Sequence, residues 1–481
     1  MALVNSRAIQ GSTEGPLGIV LLGLLALFGA TLVSESTGER AILLVVGSIA
    51  AIVAFLRTEL SIHFLIFAML LSPEIAVGQT IGATNSRAIT LRIDDFIIVL
   101  IAIAWFLKGA LSRDLLLIRK TPLNNAMMLY SVLCLGTTLW GVIAGRVSMA
   151  SGSLFVLKYI EYFVVFWMVV NTARSREQVN RYLLSVFVVG LIVSIIGIMQ
   201  IPSGQRVSTP FEGEQGEPNT MGGYLLLLIS LLAGIALCWK RWRVATYFVL
   251  GAMLLAMTYT LSRSTYLGFV PIVMLIPFLT RKYVLVPALI VVALIVLLSP
   301  SLLPGAVYDR VMFTFTQRDT QASRVEVFGS RVDSSTSARL LMFSEATQAF
   351  LERPVIGWGV TGWRFVDSQY FRTLVETGVL GFGAFLYLLY RVMRVVADAR
   401  NRFRDTEPLY FGLASGFLVG LAGLMIHAIG SNTFIIVRIM EPFWLVCALL
   451  VVLPELTSRE QAVPGTEEAG HFQLSKVGAS T

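Results

Sequence analysis

The chain has 481 residues, of which 56% are hydrophobic and only 14% charged, with a mean hydropathy of +0.78. A soluble domain carries roughly a quarter charged residues, so the composition excludes an ordinary soluble protein and points to an all-α, polytopic transmembrane bundle. The net charge of +8 matters here through the side of the membrane on which the basic residues fall. No nucleic-acid-binding pattern, P-loop, dinucleotide glycine motif or zinc-type Cys/His cluster accompanies it.

Taken in chain order, the first apolar run (16–33) follows an n-region holding only Arg7. Further apolar runs follow it, so it reads as a first span and not as a cleaved signal. Runs near the length needed to cross a bilayer number about 14, with 12 to 14 as the working range. They fall at 16–33, 41–56, 60–73, 91–111, 124–145, 153–172, 180–201, 219–239, 243–261, 264–280, 283–300, 373–396, 408–428 and 434–454. Cys134, Cys238 and Cys447 all lie inside such runs, which reads as packing and not as disulfides or metal ligands.

Basic residues cluster in alternate connections: Lys108 to Lys120 (with Arg113 and Arg119), Arg174 to Arg181, Lys240 to Arg243, Arg281 and Lys282, and Arg391 to Arg404. The positive-inside rule makes these cytoplasmic and puts both termini inside. The opposite connections, among them 34–40, 74–90, 145–152, 202–218 and 427–433, then face outwards, together with one long loop. The expected organisation is an N-terminal transmembrane region (1–300), a large extracytoplasmic loop (301–372), a C-terminal transmembrane region (373–456) and a disordered cytoplasmic tail (457–481). The loop reads as a polar stretch from Tyr308 to Thr336, then an amphipathic helix with Ser337 as N-cap and an apolar stripe of Leu340, Leu341, Phe343 and Phe350. Pro354 ends that helix, and the turn PVIGWGVTGW leads back to the membrane.

The candidate chemistry gathers on the outward side. Arg263, in LSRST at a tight turn between two spans, and Arg339, near the start of the loop helix, could each grip phosphate, because the guanidinium fork gives parallel charge-assisted hydrogen bonds. Each could equally be a snorkelling or solvated arginine. Arg364 and Arg372 are further candidates. Asp367 could accept a proton from a hydroxyl or cap the helix that follows. Glu376 lies at the membrane edge, either as a functional group or as the ion-pair partner of Arg372. Two intramembrane sets, Lys158 with Glu161 and Arg438 with Glu441, share helix faces and read as structural pairs. His427 is the one histidine placed for chemistry on this side, although a histidine at a helix end is more often a cap or interface residue.

From Glu217 to Gly381 the order of motifs resembles the O-antigen ligase/polymerase superfamily. Asp367-Ser368, nine residues, Gly378, two residues and Gly381 match that family's histidine-containing signature in spacing, with Asp367 at the histidine position. RPVIGWG, LSRST and PNTMGGYL (with Asn219) resemble other recurrent segments of the family. The resemblance implies a bacterial inner-membrane enzyme that transfers glycans from undecaprenyl-pyrophosphate carriers, inverting and metal-independent. Arg263 and Arg339 would hold the pyrophosphate and Asp367 would take the histidine's place on the acceptor side. It further implies a glycan or lipid-linked acceptor, polysaccharide-assembly proteins as partners, and no cofactor. Arg364, Arg372, Glu376 and His427 join the substrate-binding set. Two other functions compete with this expectation: a flippase for lipid-linked oligosaccharide, and a non-catalytic assembly protein. Charge concentrated around one face, not strung along a transmembrane path, favours the enzyme.

Overall fold

The computed structural model describes residues 58–72, 74–79, 88–111, 119–210, 216–299, 305–316, 326–327, 330–331 and 334–461. The expected spans 16–33 and 41–56, the connection 34–40, Arg113, much of the polar stretch in the long loop, and the tail beyond 461 lie outside these residues. Within them the chain is a helical membrane protein. The elements are α1 (Thr58–Leu71), β1 (Glu74–Gln79), β2 (Ala88–Arg92), α2 (Ile93–Leu111), α3 (Asn124–Ile143), α4 (Met149–Thr172), α5 (Arg176–Gln200), α6 (Pro218–Cys238), α7 (Arg243–Tyr259), α8 (Arg263–Leu279) and α9 (Leu285–Leu298). After these come α10 (Gly305–Thr316), β3 (Glu326–Val327), β4 (Ser330–Arg331), α11 (Ser334–Glu352), α12 (Gln369–Phe403), α13 (Pro408–His427) and α14 (Val437–Gln461). Both strand pairs are small antiparallel hairpins in connections. Seven of the described helices are long and apolar enough to cross a membrane, and three shorter ones are apolar.

Helix boundaries follow the apolar runs to within about four residues, except that α12 and α14 each continue about seven residues past the expected end. Three readings need correction. The stretch from Tyr308 to Thr336 is helical as far as Thr316. The loop helix starts at Ser334, so Ser337 is not its cap but a buried residue inside it. Leu341 points outwards, while Ala346 and Ala349 with Met342, Phe343 and Phe350 form the buried face.

Small residues set the centre of the bundle. Along α6 and α13, Gly234 and Gly416 sit so close to the opposing helix that an added Cβ would stand 2.2 Å from Gly412 O and 2.3 Å from Ser230 O. Lipid tails are as apolar as leucine, so close backbone approach of this kind is a main source of helix association in a bilayer. α8 packs on the same helix where Gly268 meets Gly423. The trio α6, α8 and α13 thus holds two helix N-termini and one C-terminus at one end of the bundle. On α14, Trp444 meets Phe163, Phe166 and Phe443 edge to face at 4.9–5.9 Å, the geometry aromatic quadrupoles prefer.

The connections separate into two faces. On one, Arg176 pairs with Glu407 at 2.6 Å and Glu460 at 3.3 Å, Arg119 pairs with Glu455, and Arg391 donates to Pro122 O at 2.8 Å. The other face carries the α7–α8 turn, α11 and the segment after α13.

The basic residue of each intramembrane set finds partners beyond its own helix. Lys158 pairs with Asp95 of α2 at 3.0 Å. Arg438 donates to Leu70 O and Ser72 O, carbonyls that the end of α1 leaves unpaired, and to Pro210 O in the segment before α6, at 2.9–3.2 Å.

Candidate active site

The α7–α8 turn is the local anchor. Leu261 adopts a left-handed φ of 48°, which makes the turn tight, and Ser262 caps α8 by accepting from Thr265 N at 3.3 Å. The same hydroxyl donates to Asn219 Oδ1 at 2.7 Å, tying α8 to the first turn of α6. The two glycines of PNTMGGYL explain themselves by packing: Gly222 lies against Thr265, and Gly223 against His427 and Ile439.

Carbonyls at the end of α7 gather two arginines. Arg206 Nε donates to Thr260 O at 3.0 Å and Arg310 Nε to Leu261 O at 3.3 Å. The C-terminal end of a helix carries partial negative charge and unpaired carbonyls, so it suits guanidinium. Arg263 opens α8 and donates to Thr336 Oγ1 at 3.1 Å, which brings the start of α11 beside it. Arg339 follows in the second turn of α11. Burial, and after it the charges of Arg310, Arg263 and Arg339, push the Arg206 guanidinium down to about 10. Four guanidiniums therefore share one region. An anion placed among them would relieve their mutual repulsion, and the adjoining N-terminus of α8 adds further attraction for it.

The segment from Ala428 to Thr433 joins this cluster to Asp367. Gly430 lies against Ser264, whose Oγ donates to Gly430 O at 3.2 Å, and a Cβ on Gly430 would stand 3.9 Å from Arg339 Nη1. On its other side, Asn432 donates to Val366 O at 2.7 Å, and Gln369 N donates to Ala428 O at 3.0 Å and Ser431 O at 3.2 Å. Asp367 sits half-buried between these two anchor points. Ser368, not Asp367, is the N-cap residue of α12, so the carboxylate is not the cap of that helix.

The spacing from Asp367 to Gly378 and Gly381 has a structural origin. Gly378 has φ 64° and ψ −169°, which breaks α12 into two helices. The turn before it supplies the missing hydrogen bonds: Trp358 N to Val375 O at 3.0 Å, Gly359 N to Glu376 O at 2.8 Å and Val379 N to Pro354 O at 2.8 Å. The nine intervening residues form the short first helix, held on α11 by stacking of Phe371 on Phe343 at 4.5 Å.

Arg263, Arg339 and Asp367 are thus brought to one region, and Arg206 and Arg310 join them. The other named residues serve elsewhere. Arg372 and Glu376 form a buried ion pair at 3.0 Å, and Glu376 also accepts from Thr361 N at 3.1 Å, which braces the turn against the short helix. Arg364 pairs with Glu345 and lies over Trp363 at 4.8 Å. His427 is fully buried and its Nδ1 shares a hydrogen bond with Thr433 Oγ1 at 2.7 Å, so it is an interface residue beneath the cluster. Among the described residues no three His, Cys, Asp or Glu side chains group as metal ligands would.

No curated protein matches the chain. Residues 248–386, from within α7 to the second part of α12, match the family model described as O-antigen ligase. That stretch contains Arg263, Arg310, Arg339, Asp367 and the break at Gly378, so the part of the chain that holds most of the site is similar to the O-antigen ligase family.

Proposed function

We propose that this protein is a glycosyltransferase that moves a glycan from an undecaprenyl-pyrophosphate carrier to a sugar hydroxyl on the outer face of a bacterial inner membrane. The observation that carries the reading is the convergence of Arg206, Arg263, Arg310 and Arg339 around the α7–α8 turn, with Asp367 tied to it through the segment after α13. In this reading Arg263 and Arg339 hold the pyrophosphate, while Arg206 and Arg310 add charge from the side of α7. The acceptor oxygen attacks the anomeric carbon as the bond to the pyrophosphate oxygen breaks, and the acceptor proton passes to the Asp367 carboxylate. The guanidiniums stabilise the charge that develops on the leaving pyrophosphate, a term worth about 10²–10³ in rate for one well-placed donor. The product lipid leaves as undecaprenyl pyrophosphate, which needs little protonation to depart.

The test is glycan transfer in a strain lacking the native copy. With R263A or R339A, polymer or ligated glycan is expected to fall at least a hundredfold while the protein remains inserted in the membrane. Unchanged yield and chain length would overturn the mechanism. What accumulates also separates the reactions: single repeat units on the surface lipid indicate a polymerase, and full-length chains left on the carrier indicate a ligase. Material trapped on the cytoplasmic face would indicate a flippase and contradict the proposal.

A further inference from the structure

A second pair of arginines lies on the same face, away from the cluster. Arg146, in the connection between α3 and α4, is half-buried, and its Nε and Nη2 are closed off from solvent with no hydrogen-bond acceptor among the described residues. Shielded donors in native proteins are nearly always paired, and leaving a charged one unpaired is costly. Arg353, directly after α11, lies over the Trp358 ring at 4.9 Å. The two like charges are close enough that Arg353, after burial, holds the Arg146 guanidinium below its usual range.

The surroundings indicate what such a pair would hold. Val132, Leu135, Leu139 and Ile143 are 43–79% exposed and follow one another at helical spacing up the outside of α3 towards Arg146. Trp140, 51% exposed, sits beside the end of that stripe, as aromatic residues do at a membrane–water boundary. A hydrocarbon chain lying on the stripe would deliver its headgroup to Arg146.

We propose that Arg146 and Arg353 form a second phosphate-binding site, which takes the headgroup phosphate of an amphiphile embedded in the membrane. If the chain acts as proposed above, on which this step alone rests, that amphiphile is the acceptor lipid. Thirteen residues of α11 lie between Arg339 and Arg353, a rise of roughly 21 Å, too far for one pyrophosphate to touch both. The site therefore binds a second molecule. Guanidinium suits it because its planar fork matches phosphate oxygens two at a time.

Native mass spectrometry of the full-length protein in detergent, with undecaprenyl phosphate as probe, tests this. The wild type is expected to retain two probe molecules, R146Q/R353Q one, and R263Q/R339Q one. Two molecules on R146Q/R353Q would overturn the second site. One molecule on R146Q/R353Q with two on R263Q/R339Q would uphold it while contradicting the assignment of the arginine cluster. R353Q alone changes an exposed residue and guards against misfolding. It is expected to weaken retention of the second molecule about tenfold, and unchanged retention would overturn the proposal. Inorganic phosphate at millimolar concentration is expected to leave the second molecule in place, and displacement by it would mean that the site takes free phosphate. Phosphatidylglycerol displacing the probe at equal mole fraction would overturn the acceptor assignment.

Discussion

Arginine is the residue on which the candidate site depends, because its guanidinium stays protonated under crowding that would discharge a lysine. Arg206 shows the margin: even pushed down to about 10 by burial and its neighbours, it keeps its charge at neutral pH. Replacing it with glutamine removes a charged hydrogen-bond donor, a change worth about 1.5–3 kcal/mol. R206Q is therefore expected to raise the KM for lipid-linked donor roughly ten- to a hundredfold with a smaller change in kcat, as steady-state transfer assays would read. Asp367 belongs to the other half of the reaction. D367N keeps its size but loses the proton acceptor, and general-base catalysis is worth about 10²–10⁴ in rate. Transfer is expected to fall by that order in D367N and to be better retained in D367H. Wild-type rates in D367N would remove the carboxylate from the chemistry. Arg263, Arg339 and Asp367 were legible in sequence through motif spacing and the side of the membrane. Arg206 and Arg310 were not, because each comes from a different connection and only the carbonyls of Thr260 and Leu261 bring them together. A signal did exist for Arg206, the one basic residue between positions 202 and 218, whereas Arg310 is one of eight arginines between 301 and 372 and nothing in the sequence sets it apart.

Among the elements, the broken helix α12 does most to place the site. Its first part carries Asp367 at its entry, and the turn from Pro354 to Gly359 replaces the backbone hydrogen bonds lost at the break. Gly378 holds a left-handed φ with Val355 O only 2.3 Å from where a Cβ would be. A strained backbone of this kind costs about 1–3 kcal/mol for a non-glycine residue, before the clash is counted. G378A is expected to lower the Tm in detergent and abolish transfer, whereas G383A, which has open space, leaves both unchanged. Equal Tm values for the two variants would contradict this role for the break. From sequence the glycines are visible as a spacing, but the break is not, because hydropathy runs through it without interruption. The Arg372–Glu376 pair was legible as neighbours one helical turn apart. The partners of Lys158 and Arg438 on α2, α1 and the segment before α6 were not, since they come from distant parts of the chain.

At the scale of the molecule, apolar run length fixed the helices and alternation of basic residues sorted the connections, while packing decided what met what. The ion pairs of Arg176 with Glu407 and Glu460 and the arginine cluster occupy opposite ends of the bundle. Single cysteines at Ser344 and Arg402 should therefore label from opposite sides of the membrane with an impermeant thiol reagent. Labelling of both from one side would contradict the two-faced arrangement. The tight trio of α6, α8 and α13 is what holds Asn219, Arg263 and the segment after His427 in register. The central claim is that this end of the bundle grips a pyrophosphate. It is tested most directly by titrating the full-length protein in detergent with undecaprenyl pyrophosphate and comparing it with R263A/R339A. Binding at least tenfold weaker in the double variant is expected, and equal affinity in the two proteins would contradict the claim.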